Sequence, residues 1–96
     1  LNINYQIIAS LKNPHLRDET HAFYTVFDKL NIYNLTEYEK IVYIDADILV
    51  VDNIDDLFDK PNGSAVNSGG ILPNFKHWTH LNSGVLVVEP DQNIFE

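Results

Sequence analysis

Asp45-Ala46-Asp47 sets two carboxylates one residue apart at the exit of the hydrophobic run Ile41-Val42-Tyr43-Ile44. Charges this close repel each other unless a cation, hydrogen bonds or protonation relieves them. A hard divalent ion such as Mn2+ or Mg2+ does so while keeping coordination positions open for phosphate oxygens. One of the pair, Asp45 or Asp47, is then the direct ligand, and the other holds a sugar hydroxyl or a metal-bound water. Two further uses of the same tripeptide stay open on the residues alone. In a phosphatase Asp45 would attack phosphorus while Asp47 shuttles the proton. In a non-catalytic module the acids would lie on a solvated face or hold a nucleotide or sugar without turning it over.

Two other places carry groups of useful chemistry. Asn82 and Ser83 offer donors and acceptors suited to sugar hydroxyls, and Gly84 behind them lets the backbone approach a ligand or a neighbouring strand closely. Lys29 is by type a surface lysine whose stem lies along apolar neighbours, with pairing to a phosphate or to an acid of the cluster as its functional alternative. The loop from Ile71 to Leu81 holds Phe75, Trp78, His77 and His80, and is read as a cover for the site or a stacking surface for a sugar. The histidines, His15 and His21 included, are not assigned as metal ligands.

Positioning these groups requires strands that end at them. Lys40-Ile41-Val42-Tyr43-Ile44 and Gly84-Val85-Leu86-Val87-Val88 are nearly unbroken apolar, β-branched runs, the pattern of strands covered on both faces in a mostly parallel sheet. Tyr5-Gln6-Ile7-Ile8-Ala9 has strand length, and Ser64-Ala65-Val66 forms a short one. Phe23, Val26, Phe27 and Leu30 recur at helical spacing and predict an amphipathic helix from Asp18 to Asn31. Thr36-Glu37-Tyr38-Glu39 reads as a capping box, Asn53 caps a short helix through Phe58, Lys60-Pro61-Asn62-Gly63 is a turn, and Gln92 starts a final helix. Strands alternating with helices give an α/β layered fold in one continuous piece, with both ends looking cut.

Composition removes whole classes of function. The 96 residues carry 6 Lys+Arg against 14 Asp+Glu, a formal charge of −8, which speaks against nucleic acid as a partner. Eight of the acids (Glu37, Glu39, Asp45, Asp47, Asp52, Asp55, Asp56 and Asp59) fall in one stretch whose only base is Lys40. No cysteine is present, which excludes disulfides and thiolate chemistry within these residues and fits a reducing, cytoplasmic setting. No run approaches the roughly 18 apolar residues of a membrane span, and the opening residues lack a signal-peptide layout. Asn34-Leu35-Thr36 and Asn62-Gly63-Ser64 match the glycosylation pattern and are read as chance.

The order of these features resembles glycosyltransferase family 8, the glycogenin-like group. It runs from Asp28-Lys29-Leu30 through Leu35 to Lys40, Ile41 to Val50 with the DxD motif, and Asn53 to Phe58, and ends at Leu81-Asn82-Ser83-Gly84-Val85. The resemblance covers positions 26 to 90 and is most specific from Leu35 to Phe58. It implies a Rossmann-like GT-A fold and transfer of a hexose, with retention of configuration, from a nucleotide-diphosphate sugar (a UDP-sugar) to a carbohydrate or protein hydroxyl acceptor, with Mn2+ or Mg2+ as cofactor. It further implies that Asp45 and Asp47 bind the metal, that Ala46 contacts the nucleotide through its backbone, that Asn82 and Ser83 line the donor sugar, and that Lys29 lies near the donor phosphates. Arg17 corresponds loosely to an upstream arginine of the family. The family's first nucleotide-binding strand is expected before Leu1, and its histidine metal ligand, glycine-lysine phosphate contact and aspartate-glutamine pair after Glu96. A haloacid-dehalogenase-like phosphatase is the rival family for a strand ending in Asp-x-Asp, but it leaves Asn82-Ser83-Gly84 without a role.

Overall fold

A computed structural model describes residues 3–11, 26–69, 73–75 and 80–95. Three strands make one sheet: β1 (Ile41–Ile44), β2 (Ser64–Asn67) and β3 (Leu81–Val88), in the order β1-β3-β2. The two apolar runs are thus neighbours, and β3 is central. β1 pairs with β3 from Ile41↔Val88 to Ile44↔Val85, and the ladder gains one further bond where Asp45 N–H donates to Gly84 C=O at 2.8 Å. Val87 and Val88, only 2% and 1% exposed, form the core among the described residues.

Both pairings are antiparallel, whereas the apolar runs led to the expectation of a mostly parallel sheet. A continuous apolar run reports that both faces of a strand are to be covered; the direction of its neighbour is set by connectivity, which the run does not encode. β2 follows β3 in register only in part. Ala65 pairs with Leu86, and the next residue, Val66, pairs with Asn82, so Ser83, Gly84 and Val85 bulge out of the β2 side of the sheet. Such irregularities bend a strand and re-aim its side chains. Here the bulge falls on two of the three residues of Asn82-Ser83-Gly84.

A 3₁₀-helix spans Val26–Asn34 where the sequence predicts an α-helix ending at Asn31; the predicted first part of that helix, 18–25, lies outside the described residues. The side chain of Asn31 explains the tighter winding. Its Nδ2 donates to Asp28 C=O at 2.9 Å, the acceptor that an α-helical Ile32 N–H would need, and to Ala9 C=O at 3.1 Å. Asp28 completes the attachment of the preceding segment, accepting from Ser10 Oγ at 3.0 Å and Leu11 N–H at 2.5 Å. Residues 5–9 form no strand, because they lack a ladder partner among the described residues. The expected capping box at Thr36 opens no helix: Thr36 and Glu37 form a turn, with Tyr38 N–H bonded to Leu35 C=O at 3.2 Å.

Asn53 does not cap the 3₁₀-helix Asp55–Asp59 as expected: the N-cap is Ile54, with no side-chain cap bond, and Asn53 Oδ1 instead accepts from Asp55 N–H at 2.7 Å in a turn leading into the helix. The turn that follows needs its glycine, since Gly63 has φ +85°. Asn62 and Gly63 fasten this turn to β3, the first accepting from Glu89 N–H and the second donating to Val87 C=O. A last helix, α1 (Gln92–Phe95), packs on the first 3₁₀-helix.

Lys40 ties these parts together. Its Nζ donates to the carbonyls of Phe58 and Lys60 at 2.9 and 3.0 Å and lies 3.6 Å from Glu89 Oε1. Lys40→Met keeps the stem and removes the donors. It should lower stability by about 1 kcal/mol, a discounted value for half-exposed charge-assisted bonds, measurable as a drop in melting temperature with no change in ligand affinity.

Candidate active site

The first 3₁₀-helix, the exit of β1 and the bulged start of β3 deliver side chains to one place. Lys29, from the helix, donates to Asp45 Oδ1 at 3.1 Å, to Ser83 Oγ at 3.1 Å and to Ser83 C=O at 3.3 Å. Its three N–H donors are thereby engaged. Alternation along β1 puts Tyr43 on the same side as Asp45, and the Tyr43 hydroxyl donates to the same Asp45 Oδ1 at 2.6 Å. The Lys29 ammonium also stands 5.4 Å from the centre of the Tyr43 ring.

The other side of the cluster is organised by Gly84. Asn82 turns back so that its Oδ1 accepts from Gly84 N–H at 2.7 Å, and its amide nitrogen donates to no partner among the described residues. A Cβ placed on Gly84 would lie 2.9 Å from Asn82 Oδ1 and 3.3 Å from Asp45 Oδ2. The two oxygens therefore flank one glycine, and only a residue without a side chain allows that approach. Ala46 and Asp47 occupy the exposed turn after Asp45, closed by Ile48 N–H bonding to Asp45 C=O at 3.2 Å.

Asp45 is held as a carboxylate below its ordinary range, first by the Tyr43 hydroxyl and then by the Lys29 hydrogen bond, with partial burial opposing and the lysine charge adding to both. Tyr43 is pushed up to about 12, by burial first and then by the hydrogen bond to Asp45 and the charges of Asp45 and Asp47. The phenol therefore stays protonated and stays a donor at any working pH. Asp45 is 32% and Lys29 18% exposed, so the ion pair is half-screened rather than buried.

The profile of glycosyl transferase family 8 matches residues 1–93, nearly the whole chain. The chain belongs to glycosyl transferase family 8. Inositol phosphorylceramide glucuronosyltransferase 1 of Arabidopsis thaliana is 46% identical over 88 residues, 92% of this chain and 15% of its own length. UDP-glucuronate:xylan alpha-glucuronosyltransferase 1 of the same plant is 36% identical over 93% of this chain and 12% of its own. Its galactinol synthase 2 is 54% identical over 62% of this chain and 18% of its own. The chain thus spans less than a fifth of the length of these relatives. Family 8 membership implies the GT-A fold and removes the ground for the phosphatase reading.

Of the residues the sequence singled out, Lys29, Asp45, Asn82 and Ser83 converge in this family 8 chain, with Ala46 and Asp47 on the adjoining turn. Arg17, Trp78, His15, His21 and His77 lie outside the described residues, while His80 is exposed and uses its carbonyl to accept from Ser68 N–H. Tyr43 was missed. Its place two residues before Asp45 on a strand was the available signal, since that spacing puts both side chains on one face. Asp45 Oδ2 and the Asp47 carboxylate, which has no hydrogen-bond partner among the described residues, are hard anionic oxygens that fit Mn2+ or Mg2+. They make a partial set: among the described residues, no three His, Asp or Glu side chains gather.

Proposed function

We propose that this chain is part of a metal-dependent glycosyltransferase that moves a hexose or hexuronic acid residue from a UDP-sugar to a hydroxyl acceptor, with retention of configuration. The convergence of Lys29, Asp45 and Ser83 from three separate segments within 3.3 Å carries the reading. Family 8 relatives named for glucuronosyl transfer and for galactinol synthesis support it. In the whole domain this antiparallel sheet adjoins the Rossmann-like, nucleotide-binding strands of the GT-A fold.

Asp45 Oδ2 and Asp47 would hold Mn2+ or Mg2+, which supplies neutralisation of the charge growing on the departing diphosphate. The protein's own groups do the positioning. Lys29 releases one of its present partners to meet a donor phosphate, so its charge is moved rather than newly brought in. The Asn82 amide N–H groups and the Ser83 hydroxyl bind sugar hydroxyls, and Ala46 presents its backbone to the nucleotide. The acceptor hydroxyl attacks the anomeric carbon from the face on which the diphosphate leaves. A retaining hydrolase would instead place two carboxylates about 5 Å apart across the sugar, an arrangement that two acids on one turn do not offer.

Calorimetry on the full-length protein tests this. UDP should bind with an affinity that rises at least ~10-fold when Mn2+ is present, as expected where Asp45 and Asp47 would hold a divalent ion that offsets the diphosphate charge. UDP-glucuronate, UDP-galactose and UDP-glucose then separate the donor classes by turnover. Affinity for UDP indifferent to Mn2+ would return the acids to the solvated-face reading.

A further inference from the structure

Tyr43 has no part in the roles above, yet it makes the shortest side-chain bond to Asp45. The bond goes to Oδ1, the oxygen that Lys29 also takes, so two donors from different segments converge on one oxygen and leave Oδ2 beside Gly84. A carboxylate without such ties turns about its last bond and offers either oxygen, or both. With Oδ1 engaged twice, turning costs two charge-assisted hydrogen bonds.

We propose that Tyr43 is a positioning residue: its hydroxyl, together with Lys29, pins Asp45 through Oδ1 so that Oδ2 alone is presented to the divalent cation. The inference rests on the reading of Asp45 as a metal ligand. It assigns the chain a fixed, single-oxygen ligand in place of a mobile carboxylate. The β1 backbone sets the spacing of the two residues, and the Lys29 ammonium against the Tyr43 ring holds the phenol from a second side. Partners that orient a metal ligand typically contribute 10- to 100-fold to metal affinity.

The test uses the full-length protein, Tyr43→Phe and Asp45→Asn, with Mn2+ alone as the probe. Binding is read from the electron paramagnetic resonance signal of free Mn2+, and folding from the melting temperature. Phenylalanine keeps the ring, its packing and its contact with Lys29. Tyr43→Phe should bind Mn2+ about 10-fold more weakly. It should melt near the parent and regain the parent kcat at saturating Mn2+, with the loss confined to the Mn2+ concentration needed. Tyr38→Phe, an exposed tyrosine outside the cluster, is the control and should leave Mn2+ binding unchanged. If Asp45→Asn loses Mn2+ while Tyr43→Phe binds it like the parent, the positioning role is overturned and the ligand reading stands. If Asp45→Asn also binds like the parent, the ligand reading itself fails and takes this inference with it. Should Tyr43→Phe melt well below the parent, its Mn2+ binding is read at a temperature where it is fully folded, and parent-like affinity there overturns the proposal.

Discussion

Asp45→Asn in the full-length protein should abolish Mn2+-dependent UDP binding and lower transfer by about 10³-fold, the upper end for losing one preorganised electrostatic group. The size of the loss comes from the direction in which the amide must face. Lys29 and Tyr43 both donate to Oδ1. An asparagine at this position satisfies them only with its carbonyl oxygen there, which puts its NH2 where Oδ2 now stands beside Gly84. On the proposed ligand reading, a donor would then face the cation in place of a ligand oxygen. Asp47 has no such constraint among the described residues, so Asp47→Asn can still turn its carbonyl to the ion. It should lose charge but keep an oxygen, with a smaller loss of about 10-fold, in the range for a weakened metal environment. Equal effects of the two substitutions in Mn2+ titrations would show that Asp45 is not oriented by its neighbours.

The same hydrogen bonds fix the acid behaviour. Asp45 is depressed in the folded chain, by Tyr43 first and Lys29 next, so its ionised form stabilises the fold above the ordinary carboxylate range. That contribution fades as pH falls through the lowered folded value. Proton competition with a metal at Asp45 accordingly begins at a lower pH than for an ordinary aspartate. Tyr43 runs the other way. It is raised to about 12, so its contribution is complete below about 10, the ordinary tyrosine value, and is lost only as pH rises through about 12.

Much of the site could be read from residue order, because its parts lie at strand ends that hydrophobic runs announce. Ile41-Val42-Tyr43-Ile44 stops at an acid and forms β1 as read; the second run, expected from Gly84 to Val88, lies in β3, but β3 begins earlier, at Leu81, and takes Asn82, Ser83 and Gly84 into the strand. That the two are hydrogen-bonded neighbours, bringing Asn82 and Ser83 to Asp45, is a fact of topology that apolar runs do not carry. The same gap explains why the antiparallel direction of these pairings was not read. Tyr43 escaped for a different reason: within a strand of uniformly apolar and aromatic residues, one phenol looks like core, and only its hydrogen bond distinguishes it. The 3₁₀ winding of Val26–Asn34 depends on Asn31 competing for a carbonyl, a local choice that helical periodicity does not register.

Gly84→Ala should cost about 100-fold in transfer efficiency, comparable to an ångström-scale misplacement at a reacting centre. Gly84 is buried, and its new Cβ would stand 2.9 Å from Asn82 Oδ1, 3.3 Å from Asp45 Oδ2 and 3.5 Å from Ile48 Cδ1. The first distance is closer than atoms tolerate. The amide of Asn82 has a short arm and cannot yield without breaking its bond to Gly84 N–H, so it swings out of the position proposed for the donor sugar, and Asp45 Oδ2, the oxygen proposed to meet the cation, is crowded. Gly63→Ala is the informative contrast. A Cβ there meets nothing within 4 Å, but φ is +85°, so the penalty is conformational and amounts to about 1–2 kcal/mol of stability. Measured side by side, Gly84→Ala should lose donor binding at saturating Mn2+ with a modest fall in melting temperature, and Gly63→Ala should lose melting temperature while binding the donor like the parent. If both variants lost stability alone, Gly84 would be a packing glycine, and the approach of β3 to Asp45 would serve the sheet rather than the site.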